Sequence, residues 1–288
     1  MEIQSKLLVI EKQKYEYDRI INTRSADAET THIVIPMHEN WKMTLIAVEC
    51  IKKFTSQPYL IWVVDNFSSA GTRKNLLEIE GVNLIFNNSK NDSFFHPWNF
   101  KPYFGSTLNG VALELVAHTI ENLHGKYMFV MHNDALPVKS GWLDYLKSKI
   151  SDQIKIVGVS QDQTRIQAAH NSGFLFDLNL YRQYPMSFMP HMPEYDVGDG
   201  ITLMMKRMGY EMFICQNTYN HPETINYLNY DGCPEFLQQY NTDRVFNDGE
   251  ELIYIHLGRG TQKHREWFRK KTRASVEEWK MFIGEYFL

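Results

Sequence analysis

The chain has 288 residues, 43% hydrophobic and 22% charged, a globular composition that excludes a disordered, collagen-like or small disulfide-scaffold protein. Thirty Lys and Arg against 34 Asp and Glu leave a formal charge of -4, so bulk positive charge cannot drive nucleic-acid binding and no nucleic-acid partner is expected. Three cysteines without a C-x-x-C pair support neither a zinc knuckle nor a disulfide framework, which points to a reducing, cytoplasmic setting.

Residues 1–31 read as a polar extension and linker, with a short helix expected around Leu7 to Ile21. No segment approaches the roughly 20 apolar residues of a membrane span. From residue 32 the pattern becomes short apolar runs at His32 to Pro36, Leu60 to Asp65, Val82 to Phe86, Tyr127 to Met131 and Ile154 to Val159, as buried parallel strands require. Between the first two runs, Met43, Ile46, Ala47, Cys50, Ile51 and Phe54 recur at helical spacing. Leu108, Val111, Ala112, Leu115, Val116, Ile120 and Leu123 form a second such face, ending at Gly125. This alternation predicts an α/β fold with a mostly parallel sheet flanked by helices, whose ligands sit at the carboxyl ends of the strands.

The second half predicts strands at Gly173 to Asp177, Met212 to Cys215 and Leu252 to His256, and a helix from Gly200 to Met208. The proline-rich stretch from Tyr181 to Tyr195, with Met186 and Met189, suits an adaptable substrate wall or an ordinary surface loop equally well.

Polar groups recur at the strand ends. The first run closes on Pro36-Met-His-Glu-Asn40, the second on Asp65-Asn-Phe-Ser-Ser69, and the fourth on His132-Asn-Asp134 ahead of a turn-setting Pro137. Asp65 can accept hydrogen bonds from a base or ribose, although such a residue is more often a cap or turn former. Asp134 suits a hard divalent cation, Mn²⁺ or Mg²⁺, and an imidazole beside it shifts the preference toward Mn²⁺. His256 closes the strand from Leu252 and precedes a glycine-flanked basic loop containing Arg259, which makes it the second cation ligand candidate. Lys263 to Arg273 carries six Lys or Arg around Trp267 and Phe268. Such a run is most often a solvated helix face; it also suits an anionic membrane surface. The aromatic cluster from Phe94 to Phe104 suits either core packing or sugar stacking.

In order along residues 32 to about 261, the motifs Ile33-Val-Ile-Pro36, Val63-Val-Asp-Asn-Phe-Ser-Ser69, Leu108-Asn-Gly110, Met131-His-Asn-Asp134 with Pro137, Gly173-Phe-Leu-Phe-Asp177, Asp196-Val-Gly-Asp199 ahead of Gly209-Tyr210, and Tyr254-Ile-His-Leu-Gly258 resemble the GT-A glycosyltransferases, most closely the family-2-like, nucleotide-sugar-dependent inverting enzymes. The resemblance implies a GT-A, Rossmann-like domain over 32–261, with a nucleotide-sugar half (32–160) and a smaller acceptor half (161–261), followed by a basic helical tail (262–288). It implies donor binding by Pro36, His38, Glu39, Asp65, Asn66, Ser68, Asn109, His132, Asn133 and Arg259, and cation binding by Asp134 and His256. It also implies a general base in Asp196-x-x-Asp199, with Asp199 slightly favoured. The donor would be a nucleotide-diphosphate sugar and the acceptor a glycan or lipid-linked hydroxyl, with peripheral membrane contact through the basic tail. Two positions depart from the family: His132 stands where the first Asp of its DxD motif falls, and its Glu-Asp pair is spread over four residues. The departures keep open a non-catalytic sugar-nucleotide or glycan-binding role. A methyltransferase is disfavoured because no G-x-G turn follows the first strand.

Overall fold

The computed structural model describes residues 3–23, 27–89, 104–121, 123–161, 166–219, 234–240, 242–258 and 274–288. Arg259, the basic run Lys263 to Arg273 and all of the aromatic cluster before Phe104 lie outside them. The fold is mixed α/β with a mostly parallel sheet flanked by helices, as the alternating pattern predicts. Contacts divide the chain into two compact units: residues 1–41, 58–129 and 176–209, and residues 42–57, 130–175 and 210–288.

In the first unit, β3 (Thr31–Met37), β4 (Tyr59–Asn66) and β5 (Val82–Asn87) run parallel. Nearly every residue in them is buried, which is why they read as continuous apolar runs. The helix expected around Leu7 to Ile21 is instead a hairpin of β1 (Ile3–Ile10) and β2 (Gln13–Ile20), and β2 pairs antiparallel with β5. The cause lies in β2, where buried Tyr15 and Tyr17 alternate with exposed Lys14 and Glu16 at the two-residue period of a strand. Glu11 and Lys12 both take positive φ, the conformation that a tight two-residue hairpin turn demands. Helices α2 (Ala70–Leu77), α3 (Phe104–Ile120), α5 (Leu178–Gln183) and α6 (Asp199–Arg207) belong to this unit.

The second unit contains α1 (Trp41–Phe54, from Lys42 onward), β7 (Ala135–Pro137), α4 (Trp142–Ser148), β8 (Ile154–Gly158), β10 (Glu211–Ile214), β11 (Gln216–Asn217), α7 (Glu235–Gln239), β12 (Asp243–Phe246), β13 (Leu252–His256) and α8 (Val276–Tyr286). Strands β8 and β10 are parallel, while β11, β12, β13 and β7 form an antiparallel sheet in that order. Met43, Ile46 and Cys50 of α1 pack in one core with Leu136, Ile255, Trp279 and Phe282. Helix α8 begins with a capping box between Ser275 and Glu278. The remaining strands, β6 (Tyr127–Met131) and β9 (Gly173–Asp177), lie where the chain crosses between the units. Among the described residues no helix is long and apolar enough to cross a membrane.

One buried polar contact in the first unit sets an acid limit on stability. His32, fully buried in β3, accepts a hydrogen bond at Nδ1 from the Trp62 indole (3.1 Å) and donates from Nε2 to the His124 carbonyl (2.9 Å). Gly125 is at φ +140°, and a Cβ there would lie 2.3 Å from that Nε2. Burial pulls the imidazole down to about 4, and the nearby Arg182 cation adds to it, against the opposing hydrogen bond to His124. The unfolded chain takes up this proton near pH 6.5 and the folded chain only near pH 4. Stability present above pH 6.5 is therefore lost as the pH falls toward 4, by roughly 3 kcal/mol. Denaturant titrations at pH 7 and pH 4 should find this loss in the parent and a flatter acid limb in His32→Gln. Equal pH slopes would assign the acid sensitivity to other groups.

Candidate active site

The cation-ligand candidates meet in the second unit through strand register. Strand β13 pairs antiparallel with β7, with His256 opposite Ala135, so the turn carrying His132, Asn133 and Asp134 emerges beside His256. The turn is closed by the Ala135 N–H donating to the His132 carbonyl (3.3 Å), and the Leu257 N–H donates to the Asp134 carbonyl (2.9 Å). His256 Nε2 lies 3.4 Å from Asp134 Oδ1 and 3.4 Å from His132 Nδ1. One ligand atom from each of the three residues falls within 4.8 Å of the others. Gly258, at φ +54°, passes so close that a Cβ would lie 2.9 Å from the His256 ring.

The other nitrogen of His256 faces Asp243, with Nδ1 3.0 Å from Oδ2. Asp243 stands opposite His256 in the β12–β13 pairing. A carboxylate behind the far ring nitrogen is the arrangement that orients metal-binding histidines and leaves Nε2 as the ligand. Burial alone would pull this imidazole down, but Asp134 and Asp243 overcome it and push its pKa up to about 10. A cation at Nε2 must displace the proton held there. Two imidazoles and a carboxylate converging on one point, one imidazole backed by a second carboxylate, fit a divalent ion that accepts mixed nitrogen and oxygen ligands. His132, Asp134 and His256 would hold it, and the ion would supply a positive charge at this point. Asp243→Asn should weaken Mn²⁺ binding roughly 10- to 100-fold, read by titration calorimetry; an unchanged affinity would remove Asp243 from this role.

Asp243 was not visible as a site residue in the sequence, because nothing local marks it and only the strand pairing brings it to His256. His170 lies near this group and Tyr219 packs on His170, and nothing local in the sequence marks either. The His170 ring centre lies 5.9 Å from that of His132, 6.1 Å from that of His256 and 4.9 Å from that of Tyr219.

The nucleoside-recognition candidates gather in the first unit at the ends of β3 and β4. Asp65, fully buried, accepts from the Ser68 N–H (3.2 Å) and from Arg73 Nε (2.7 Å). Arg73 extends the same guanidinium to Asn88 Oδ1 and the Asn87 carbonyl, both at 2.7 Å, so Asp65 anchors α2 to this strand edge. Glu39, at φ +57°, turns its carboxylate onto the start of α2, accepting from the Ser69 N–H, the Ser69 hydroxyl and the Thr72 hydroxyl. These hydrogen bonds outweigh the opposing effect of burial and lower its pKa. The Glu39 N–H donates to Ser68 Oγ (2.7 Å), and His38 donates from Nδ1 to the Asn66 carbonyl (2.7 Å). Asn66 donates to the Leu108 carbonyl of α3 (3.2 Å), one residue before half-buried Asn109. Pro36 is buried within β3.

Asp196 and Asp199 also lie in the first unit, at the start of α6 behind Gly198, which takes φ +79°. Asp199 is 4% exposed, and its Oδ2 accepts from the Asp196 N–H (2.7 Å). Asp196 is half-buried and accepts at Oδ1 from the Val197 N–H (2.8 Å). Both carboxylates thus organise the turn into α6.

No protein-family model matches the chain, and no curated protein sequence does. Among solved structures it is similar to the galactosyltransferase LgtC in complex with donor and acceptor sugar analogues, at 11% identity, a TM-score of 0.48, and coverage of 88% of this chain and 96% of that one. It is similar to the mannosyltransferase PcManGT from Pyrobaculum calidifontis, in complex with GDP-Man and Mn²⁺, at 14% identity and a TM-score of 0.47, covering 64% of this chain and 54% of that one. It is also similar to glucosyl-3-phosphoglycerate synthase from Mycobacterium tuberculosis, in complex with Mn²⁺, UDP and glucosyl-3-phosphoglycerate, at 13% identity and a TM-score of 0.42, covering 65% and 70%. These neighbours are GT-A fold glycosyltransferases.

Proposed function

We propose that this chain is a metal-dependent glycosyltransferase that moves a sugar from a nucleotide-diphosphate donor to a hydroxyl of a glycan or lipid-linked acceptor. The observation that carries this reading is the convergence of His132, Asp134 and His256, with Asp243 behind His256. Breaking a sugar–diphosphate bond places negative charge on the departing phosphate, and a cation held by this set would stabilise that charge. The Asp65 and Glu39 edge would receive the nucleoside, with His38 and Ser68 beside it and Arg259 following the cation site in sequence. One carboxylate of Asp196-x-x-Asp199 would take the acceptor proton, giving an inverting reaction.

A panel of nucleotide-sugars screened for thermal stabilisation with and without Mn²⁺ tests the reading, because a ligand bound only by the folded chain raises its apparent stability. At least one donor should raise Tm only when Mn²⁺ is present. If no nucleotide-sugar does so, the reading is wrong. A second reading, a protein that binds the sugar-nucleotide without transferring it, draws on the engagement of both Asp196 and Asp199 by backbone N–H groups. Metal-dependent donor binding without turnover toward any acceptor would favour it.

A further inference from the structure

We propose that Glu114 is a positioning residue for the acidic turn Asp196-Val-Gly-Asp199, acting through the backbone of Phe188. The inference deepens the glycosyltransferase reading, on whose general base it rests, by naming what holds that base in place.

The segment from Tyr181 to Tyr195 is anchored and not adaptable. Met186, Phe188 and Met189 are all buried, and the Phe188 ring stacks on that of Tyr181 at 5.5 Å between centres, so these side chains are core. Glu114, half-buried on α3, ties the segment down at three points. Its Oε1 accepts from the Phe188 N–H (2.6 Å) and the Ser187 hydroxyl (2.7 Å), and its Oε2 accepts from the Tyr181 hydroxyl (2.6 Å). Burial, with this carboxylate beside it, pushes the Tyr181 phenol up, which keeps it protonated as a donor. Hydrogen bonds to an ionised acceptor are shorter and stronger than neutral ones, so one carboxylate on α3 fixes a bend far away in sequence.

The anchored bend bears directly on the acidic turn. The Phe188 carbonyl accepts from the Gly198 N–H (3.2 Å), and Gly198 lies between the two carboxylates in sequence. Phe188 thus gives its N–H to Glu114 and its carbonyl to the turn, a path of two hydrogen bonds from α3 to the residues beside Asp199. Close packing reinforces the path on both sides. A Cβ on Gly200 of α6 would come within 2.6 Å of the Ser187 carbonyl oxygen. A Cβ on Gly110 of α3 would meet Pro190 Cδ at 2.9 Å and the Phe188 carbonyl oxygen at 3.1 Å. Two residues without side chains therefore let 187–190 wedge between α3 and the start of α6, and Glu114 is the charged group that holds the wedge.

The test uses the full chain. Amide exchange of the peptide spanning 185–199 is followed by mass spectrometry. Mn²⁺-dependent binding of GDP-mannose and UDP-glucose is measured beside it, with the release of GDP or UDP when water or simple glycosides serve as acceptor. Glu114→Ala should speed exchange of that peptide at least about tenfold, while peptides from β3 and β4 exchange as in the parent. Donor affinity should stay within about twofold, and turnover should fall roughly 10- to 100-fold, as expected when a reacting group is displaced by about 1 Å. Glu114→Gln keeps a carbonyl oxygen that can accept from Phe188 and Ser187, and should recover turnover in part. Tyr181→Phe loses only the bond to Oε2; it should lower Tm and keep turnover close to that of the parent. Parental exchange or parental turnover in Glu114→Ala would overturn the inference. So would turnover that simply follows Tm across the three variants, or a parent that binds a nucleotide-sugar but releases no nucleoside diphosphate. If Glu114→Ala does not fold, Glu114→Gln decides: turnover below that of Tyr181→Phe at similar Tm supports the inference, and parental turnover overturns it. A parent that binds no nucleotide-sugar, with 185–199 loosened in Glu114→Ala as expected, would overturn the glycosyltransferase reading and leave Glu114 as the anchor of the acidic turn.

Discussion

Asp134→Ala is expected to abolish Mn²⁺-dependent nucleotide-sugar binding, a loss of at least about 100-fold, because it removes the only anionic oxygen among the three converging ligands. His256→Ala should weaken the same binding without abolishing it, since His132 and Asp134 stay in place on their turn. The Asp134 effect separates from folding. Asp134 is held in the turn by its backbone, through its carbonyl to the Leu257 N–H, and that bond survives loss of the side chain. Titration calorimetry with Mn²⁺, repeated with the preferred donor and alongside thermal melts, measures both quantities. Unchanged metal-dependent binding in both variants would place the cation elsewhere and withdraw the observation on which the functional reading stands.

The second large effect concerns the proton acceptor. Substituting the proposed base within Asp196-Val-Gly-Asp199 by asparagine should lower turnover roughly 10²- to 10⁴-fold while leaving donor affinity nearly intact, because a base acts on the acceptor proton only in the transition state. The structure makes the two positions unequal in a way that their spacing does not. Asp199 is 4% exposed and accepts from the Asp196 backbone, so Asp199→Asn should also lower stability as the turn loses a charge-assisted hydrogen bond. Asp196 is half-buried, and its substitution should leave thermal stability closer to that of the parent. Measuring transfer, donor affinity and Tm for each variant distinguishes a base from a cap. Full transfer activity in both would remove the base from this motif.

Much of the fold and the strand-end positions of the candidate cation ligands Asp134 and His256 are legible because buried strands leave a local signature. Strands β3, β4, β5, β6 and β9 are short unbroken apolar runs, and the polar residues that follow β3, β4 and β6 fall at the ends where α/β proteins place their ligands. The faces of α1 and α3 were equally readable from their three- and four-residue steps. The hairpin is not legible in the sequence because adjacent Leu7 and Leu8 suit a helical face as well as a strand. Only the alternation of Tyr15 and Tyr17 distinguishes the two, and that stretch is too short to outweigh its polar surroundings.

Composition, charge and apolar periodicity by themselves determined an α/β chain, its main strands and the strand ends carrying Asp65, Asp134 and His256, since each of these depends on residues near one another in sequence. Tertiary structure alone decided which partners those groups meet. His132 and His256 are 124 positions apart, and Asp243 reaches His256 only through the antiparallel register of β12 and β13. Arg73 claims Asp65 because α2 returns its guanidinium to the end of β4. Whether a carboxylate binds a cation, backs a histidine or anchors a helix depends on which opposite charge or N–H lies within about 3 Å. Strand register and helix docking set that distance, and neither leaves a local trace in the chain.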